Sequence, residues 1–167
     1  MPTIPTTESE MYEPVCEWLV SLLRPRYKTY KVEAYDTSSI ALYRWLEKMN
    51  FQDYFPEYLA YDILVDVTGI MYQKKKAHLV FVECKLPAIN LRKISQLLGY
   101  CRVAQPKYAF IISPKGISEH VSYLLKTYHR YDVLNYNSTD CIRVATWNHN
   151  RKDIDANTLL PPGDFIV

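Results

Sequence analysis

His78-Leu79-Val80-Phe81-Val82-Glu83-Cys84-Lys85 is an apolar run that closes on Glu-x-Lys. Four successive apolar residues, Leu79 to Val82, mark a strand covered on both faces. Charged groups that end such a strand need partners. Glu83 and Lys85 are two residues apart, and side chains on a strand alternate, so both point to one face. Just upstream, residues 60–72 (AYDILVDVTGIMY) form a second β-rich run. Between the two lie Gln73 to Ala77 with three consecutive lysines, which read as a hairpin turn. The hairpin sets the two strands antiparallel, so the start of the first neighbours the end of the second.

Outward from this hairpin the periods change. Residues 8–23 (ESEMYEPVCEWLVSLL) place Tyr12, Val15, Leu19, Leu22 and Leu23 at helical spacing. Thr7 and Glu10 can form a capping box, and Pro14 is expected to delay the regular helix. Residues 28–35 alternate as a half-buried strand, residues 39–49 read as a helix, and Asn50 to Pro56 as a loop. After the hairpin, Pro87 ends the strand and Asn90 caps a helix to about Ala104. Tyr108 to Ser113 is a strand, Pro114 and Gly116 a turn, Ser118 to Tyr131 a helix, and Cys141 to Trp147 a last strand. From Asn148 the tail, with Pro161, Pro162 and Gly163, reads as irregular. The order predicts one α/β domain over residues 1–167, a central mixed sheet flanked by helices with at least one βαβ crossover.

Composition narrows the function. The 167 residues suffice for one domain with a real core, and 49% hydrophobic against 23% charged excludes a disordered chain. A net charge of +2 excludes a wholesale polyanion binder, so affinity for nucleic acid must come from local patches. Two are present. Arg24, Arg26, Lys28 and Lys31 interleave with Tyr27 and Tyr30, and Lys74 to Lys76 sit on the hairpin tip, where solubility alone would explain a lysine-rich turn. No apolar run is long enough to cross a membrane, and the polar start lacks a signal-peptide core. Cys16, Cys84, Cys101 and Cys141 are widely spaced, which points to reduced thiols in a cytoplasmic protein rather than a zinc site or a disulfide framework.

The chemistry-bearing residues gather around the hairpin. Asp62, Leu64 and Asp66 share one strand face, so either aspartate can meet Glu83. Asp62 is preferred, because it stands at the beginning of the run while Glu83-x-Lys85 stands at the end of its partner. Two carboxylates suit Mg²⁺, and an adjacent ammonium can position a water or offset developing negative charge. On the following helix Gln96 and Tyr100 are four apart and share a face with Arg92.

With Asp62 in YDILVDV, Glu83 and Lys85 in VFVECK, and Gln96 and Tyr100 in QLLGY, the chain resembles the PD-(D/E)xK nuclease superfamily. The last pair resembles the QxxxY element of RecB-like nucleases. The likeness spans roughly residues 60–113, and the helix around MYEPVCEWL is similar to the superfamily's leading helix. Tyr61 stands where many members carry proline before the aspartate. The resemblance implies a restriction-endonuclease-like fold with an αβββαβ core and Mg²⁺-dependent hydrolysis of DNA, with Mn²⁺ as a substitute. It implies Asp62, Glu83 and the Cys84 carbonyl as metal ligands, with Lys85 orienting or helping to deprotonate the attacking water. It gives Gln96 the task of orienting Lys85 or a phosphate. An acid on the first helix joins the metal in many members; Glu10 is the candidate, Glu13 and Glu17 are competitors, and Glu33 is a further possibility. The expectation is a DNA endonuclease, in which two active sites, hence a homodimer, would cut a duplex. A nuclease fold kept as a silent DNA-binding or regulatory module is the alternative.

Overall fold

The first helix, α1 (Ser9–Leu23), buries Met11, Val15, Trp18, Leu19 and Leu23, a stripe that recurs every three to four residues. It starts at Ser9, not near Pro14. Pro14 lies in the second turn, where it withholds an N–H from the Glu10 carbonyl without breaking the helix. Glu10 reaches back to Thr6 rather than Thr7: its carboxylate accepts the Thr6 amide at 2.9 Å and the Thr6 hydroxyl at 2.7 Å. That closure substitutes for a side-chain cap at the helix start.

A computed structural model describes residues 4–165. A six-stranded mixed sheet runs in chain order: β1 (Lys31–Asp36), β2 (Val67–Tyr72), β3 (Ala77–Cys84), β4 (Tyr108–Ser113), β5 (Ile142–Asn148) and β6 (Asp153–Leu160). The pairs β1–β2, β2–β3 and β5–β6 are antiparallel, while β3–β4 and β4–β5 are parallel. The parallel pairs need crossovers. The first is α3 (Leu91–Ala104), whose N-cap Asn90 accepts the Lys93 amide at 3.0 Å. The second is the short α4 (Glu119–Ser122), a π turn at residues 123–127 and a 3₁₀ turn at residues 131–134. The single helix expected to Tyr131 is therefore broken. His129 adopts a positive φ of 54°, which no helix continues.

Apolar side chains fill both sides of the sheet. One core holds α1 against Val80, Val82, Phe110 and Trp147. The other holds Trp45, Leu46 and Phe51, from and just after α2 (Leu42–Lys48), together with Ile94, Leu97 and Cys101 of α3. On β3 residues 79–84 are all buried, as a strand sandwiched between two layers requires. Gly69 lets α1 approach β2: a Cβ there would stand 2.8 Å from Leu19 Cδ2. The tail beyond Asn148 is ordered as β6, which pairs with β5 across a register shift between Val144 and Thr146. All four cysteines are free. Among the described residues no helix is long and apolar enough to cross a membrane.

Candidate active site

Strand β2 begins at Val67, opposite Val82, so the next position outward faces Asp66 towards Glu83. The Asp66 amide donates to Glu83 Oε1 at 3.2 Å, and Asp66 Oδ2 accepts the Cys84 amide at 2.9 Å. Lys85 Nζ lies 3.3 Å from Glu83 Oε2. Asp66, through its main-chain amide, Glu83 and Lys85 thus come together where the ends of β2 and β3 meet.

Asp62 is not part of it. The chain leaves the sheet at Asp66, and α2 holds residues 61–65 away. Leu42 and Tyr43, in the first turn of α2, donate their amides to the Ile63 carbonyl at 2.9 Å and the Tyr61 carbonyl at 3.1 Å. Those amides have no partner within the helix, and the preceding segment satisfies them. Tyr61 turns into the core and Asp62 turns out to solvent, where its charge acts on Arg44. The sheet begins at Val67 rather than near residue 60, and this sets Asp66 and not Asp62 opposite Glu83.

Thr37 fixes the exit. Its hydroxyl bonds the Val65 carbonyl at 2.6 Å and Thr68 Oγ1 at 2.7 Å, and its amide donates to the Asp66 carbonyl at 3.0 Å. Thr37 and Thr68 are both buried. Tyr12 of α1 completes the hold by donating to Asp66 Oδ1 at 3.3 Å.

Electrostatics follow from this crowding. Burial, and next the Asp66 charge, push Glu83 up to about 8, with Lys85 opposing. Glu83 is only 6% exposed, and a single ammonium faces two carboxylates, which favours the protonated form of Glu83. Burial alone would depress Lys85, but Glu83, Asp66 and Glu8 outweigh it and leave Lys85 above its ordinary value, an ammonium throughout the physiological range. The buried Cys84 thiol is pushed well up by burial and by Asp66, which removes it as a nucleophile.

Three residues absent from the motif join the setting. Glu8, beside the start of α1, acts electrostatically on Lys85, Cys84, Tyr12 and Lys93. Lys93, in the first turn of α3, is lowered by burial and by Lys85. Tyr12 is raised by burial and by Asp66, and stays a donor. The sequence carried one signal for two of them, since Glu8 and Tyr12 are one helical turn apart. Lys93 follows the Asn90 cap by three positions.

The other expected residues lie elsewhere. Glu10 is exposed and spent on Thr6. Glu17 lines a hollow beside Arg26 and Arg151, away from the carboxylates, and Glu13 and Glu17 are not among the main influences on Glu83 or Lys85. Glu33 of β1 accepts the hydroxyls of Tyr35 and Tyr72. Gln96 is exposed and donates to the Tyr100 hydroxyl at 3.1 Å, so the QxxxY pair bonds to itself.

The donor set can be compared with what a divalent cation needs. Among the described residues no group of three or more His, Cys, Asp and Glu side chains is placed to hold a metal ion. Asp66 and Glu83 offer two carboxylates, and Mg²⁺ commonly takes one or two from protein, with water or phosphate completing its six oxygens. The proton that crowding forces onto Glu83 marks a place where added positive charge is favourable. These two carboxylates fall within the number that Mg²⁺ takes from protein. Compared with family models, curated proteins and solved structures, the chain matches none.

Proposed function

We propose that this chain is a Mg²⁺-dependent nuclease of the PD-(D/E)xK type, with Asp66, not Asp62, as the first acid of the motif. The observation that carries the reading is the Asp66–Glu83–Lys85 group, joined within 3.3 Å at the paired ends of β2 and β3. The chain order supports it too: apart from α2 and the short turns inserted between β1 and β2, the order α1, β1, β2, β3, α3 and then β4 parallel to β3 parallels the αβββαβ order that the resemblance implies. Val65 precedes Asp66, so the motif's usual proline is missing here as it is at Tyr61.

Asp66 and Glu83 would hold the cation, and Glu83 gives up its proton when it does so. Bound Mg²⁺ supplies a water of lowered pKa and neutralises charge on the phosphate. Lys85 does its part as an ammonium. It holds the attacking water by hydrogen bonding and stabilises the negative charge that builds on the phosphoryl oxygens, and being protonated it does not act as the base. Tyr12 and the Cys84 amide fix both Asp66 oxygens, which limits the rotation of that ligand. Lys93 presents a second cation for a phosphate oxygen. In the reaction, water oxygen bonds to phosphorus, one P–O ester bond breaks, and the leaving oxygen ends protonated. DNA is the proposed substrate, and a dimer is the proposed arrangement for cutting both strands of a duplex.

Lys85→Ala tests the chemistry directly. Labelled single-stranded, duplex and branched DNA are incubated with Mg²⁺, Mn²⁺ or EDTA. Wild type is expected to cut with metal, and the variant to fold and lose cutting by about 100-fold or more. An unchanged rate in Lys85→Ala sinks the mechanism. Binding without cutting by wild type favours the silent module instead.

A further inference from the structure

Two basic stretches far apart in the sequence meet at the other end of the sheet. Residues 28–31 lead into β1, and Gln73 to Lys76 turn between β2 and β3. The turn and the lead-in are tied by Gln73 Nε2, which donates to Thr29 Oγ1 at 2.9 Å. Together they form an open hollow of about 710 Å³ between Lys28, Lys31 and Lys74, with Tyr30, Tyr54 and Tyr72 as its aromatic wall. Lys31 stands over the Tyr72 ring at 5.9 Å and Lys76 over the Tyr30 ring at 5.6 Å. The four lysines are exposed.

The rings are held in place. Tyr72 donates to Glu33, Tyr54 donates to the Gln73 carbonyl at 2.6 Å, and Tyr30 packs against Tyr27 and His78. Glu33 is the nearby acid on β1, and its two oxygens are taken by Tyr35 and Tyr72. The rim is therefore cationic and its wall aromatic, with Tyr72 beneath Lys31 and Tyr30 beneath Lys76. A lysine turn on its own would serve solubility, but here it is joined to a second basic segment around fixed rings.

We propose that this hollow is a docking surface for single-stranded nucleic acid, with the lysines on the phosphates and bases stacking on Tyr30 and Tyr72. A polyanion suits the rim, and ring faces favour unpaired bases over a duplex, whose bases are already stacked. The surface is distinct from the carboxylate group. Tyr72 and Asp66 are six residues apart along one chain, ~20 Å of strand, so binding here does not use the acidic residues.

The test is fluorescence anisotropy of a labelled oligothymidylate strand of about 20 nucleotides, in EDTA so that no cutting intervenes. The full chain is compared with the Lys31→Gln, Lys74→Gln, Lys76→Gln triple variant, with Tyr30→Leu and with Lys126→Gln on the π turn. Three lost phosphate contacts lower the slope of log affinity against log salt by about 2, and the affinity at roughly 0.1 M salt by roughly 100-fold. Tyr30→Leu, which keeps an apolar side chain, loses about tenfold. Lys126→Gln, at an exposed lysine on the π turn outside the hollow, binds as wild type, and because binding is read in EDTA without cutting, failure of the nuclease reading and failure of this one give different results. The proposal is overturned if wild type does not bind the strand, or if the triple variant binds equally well. It is also overturned if inorganic polyphosphate competes as well per phosphate as the oligonucleotide, or if only anionic phosphatidylserine vesicles are bound.

Discussion

Raising the pH of the metal-free protein should cost stability, and Glu83 should be the reason. Its folded value is pushed up to about 8, against an ordinary value of 4.5, by burial and by Asp66. Between those values the folded chain keeps a proton that the unfolded chain has released. The difference in bound protons, unfolded minus folded, is then negative, and stability falls as pH rises, by up to about 1.4 kcal/mol per unit. From pH 5 to pH 7 the loss from this group amounts to about 2 to 3 kcal/mol, and it levels off above the folded value. Lys85 is charged in both states across this window and does not contribute to the slope. His78, held below its ordinary value by burial and then by Lys107 and Lys76, acts in the opposite direction, since its stability contribution is lost as pH falls. The comparison that isolates Glu83 is therefore wild type against Glu83→Gln, by urea unfolding in EDTA at several pH values. Glu83→Gln imitates the protonated acid and should lose the downward slope, becoming the more stable protein near pH 8. Parallel pH profiles for the two proteins would refute the claim that burial and the Asp66 charge hold a proton on Glu83.

Mg²⁺ should reverse that penalty. The cation displaces the proton on Glu83, so calorimetry in buffers of different ionisation heat should find close to one proton released near pH 7, and below the folded value the affinity should rise by up to about tenfold per pH unit. At about 100 times its Kd, Mg²⁺ should add about 2.7 kcal/mol of stability to wild type and far less to Asp66→Asn. Thr37→Val keeps the shape but removes the hydroxyl that bonds Val65 and Thr68. It should cost about 1 to 3 kcal/mol by thermal or chemical unfolding and lower cutting, because it loosens the chain just before Asp66. Gln96→Ala should raise KM and spare kcat, since the Gln96 amide is bonded to Tyr100 and not to Lys85. An equal fall in kcat would return Gln96 to the chemistry.

The strand that carries Glu83 and Lys85 was legible because a residue run covered on both faces has no other economical reading. The limits of β4 at Tyr108 and Ser113, and the Asn90 cap, were legible for similar local reasons, namely a short apolar run between Pro/Gly punctuation and a side chain that accepts the Lys93 amide. The start of β2 was not legible. Residues 60–72 carry apolar and β-branched side chains on both sides of Asp62 and of Asp66, and the tertiary pull of the α2 amides on Tyr61 and Ile63 decides where the sheet begins. Asp66 rather than Asp62 therefore stands beside Glu83. Pro14 misled in the other direction: its cost is local, and the α1 stripe packed on β1 and β2 outweighs it. The last strand, β6, is polar at its centre, with Asp155, Ala156 and Asn157 half-buried or exposed on the sheet's edge, so no alternation announced it. Glu8 escaped notice because its role depends on how α1 crosses the sheet, and Gly69, where α1 comes close, shows that only in three dimensions.

Cleavage of labelled DNA by Asp66→Asn and Asp62→Asn, each beside wild type with Mg²⁺ present, tests the central claim most directly. Loss of cutting by about 100-fold or more in Asp66→Asn, with Asp62→Asn within a few-fold of wild type, is the result expected if Asp66, Glu83 and Lys85 are the catalytic group. Full activity in Asp66→Asn, or its loss in Asp62→Asn alone, would contradict it.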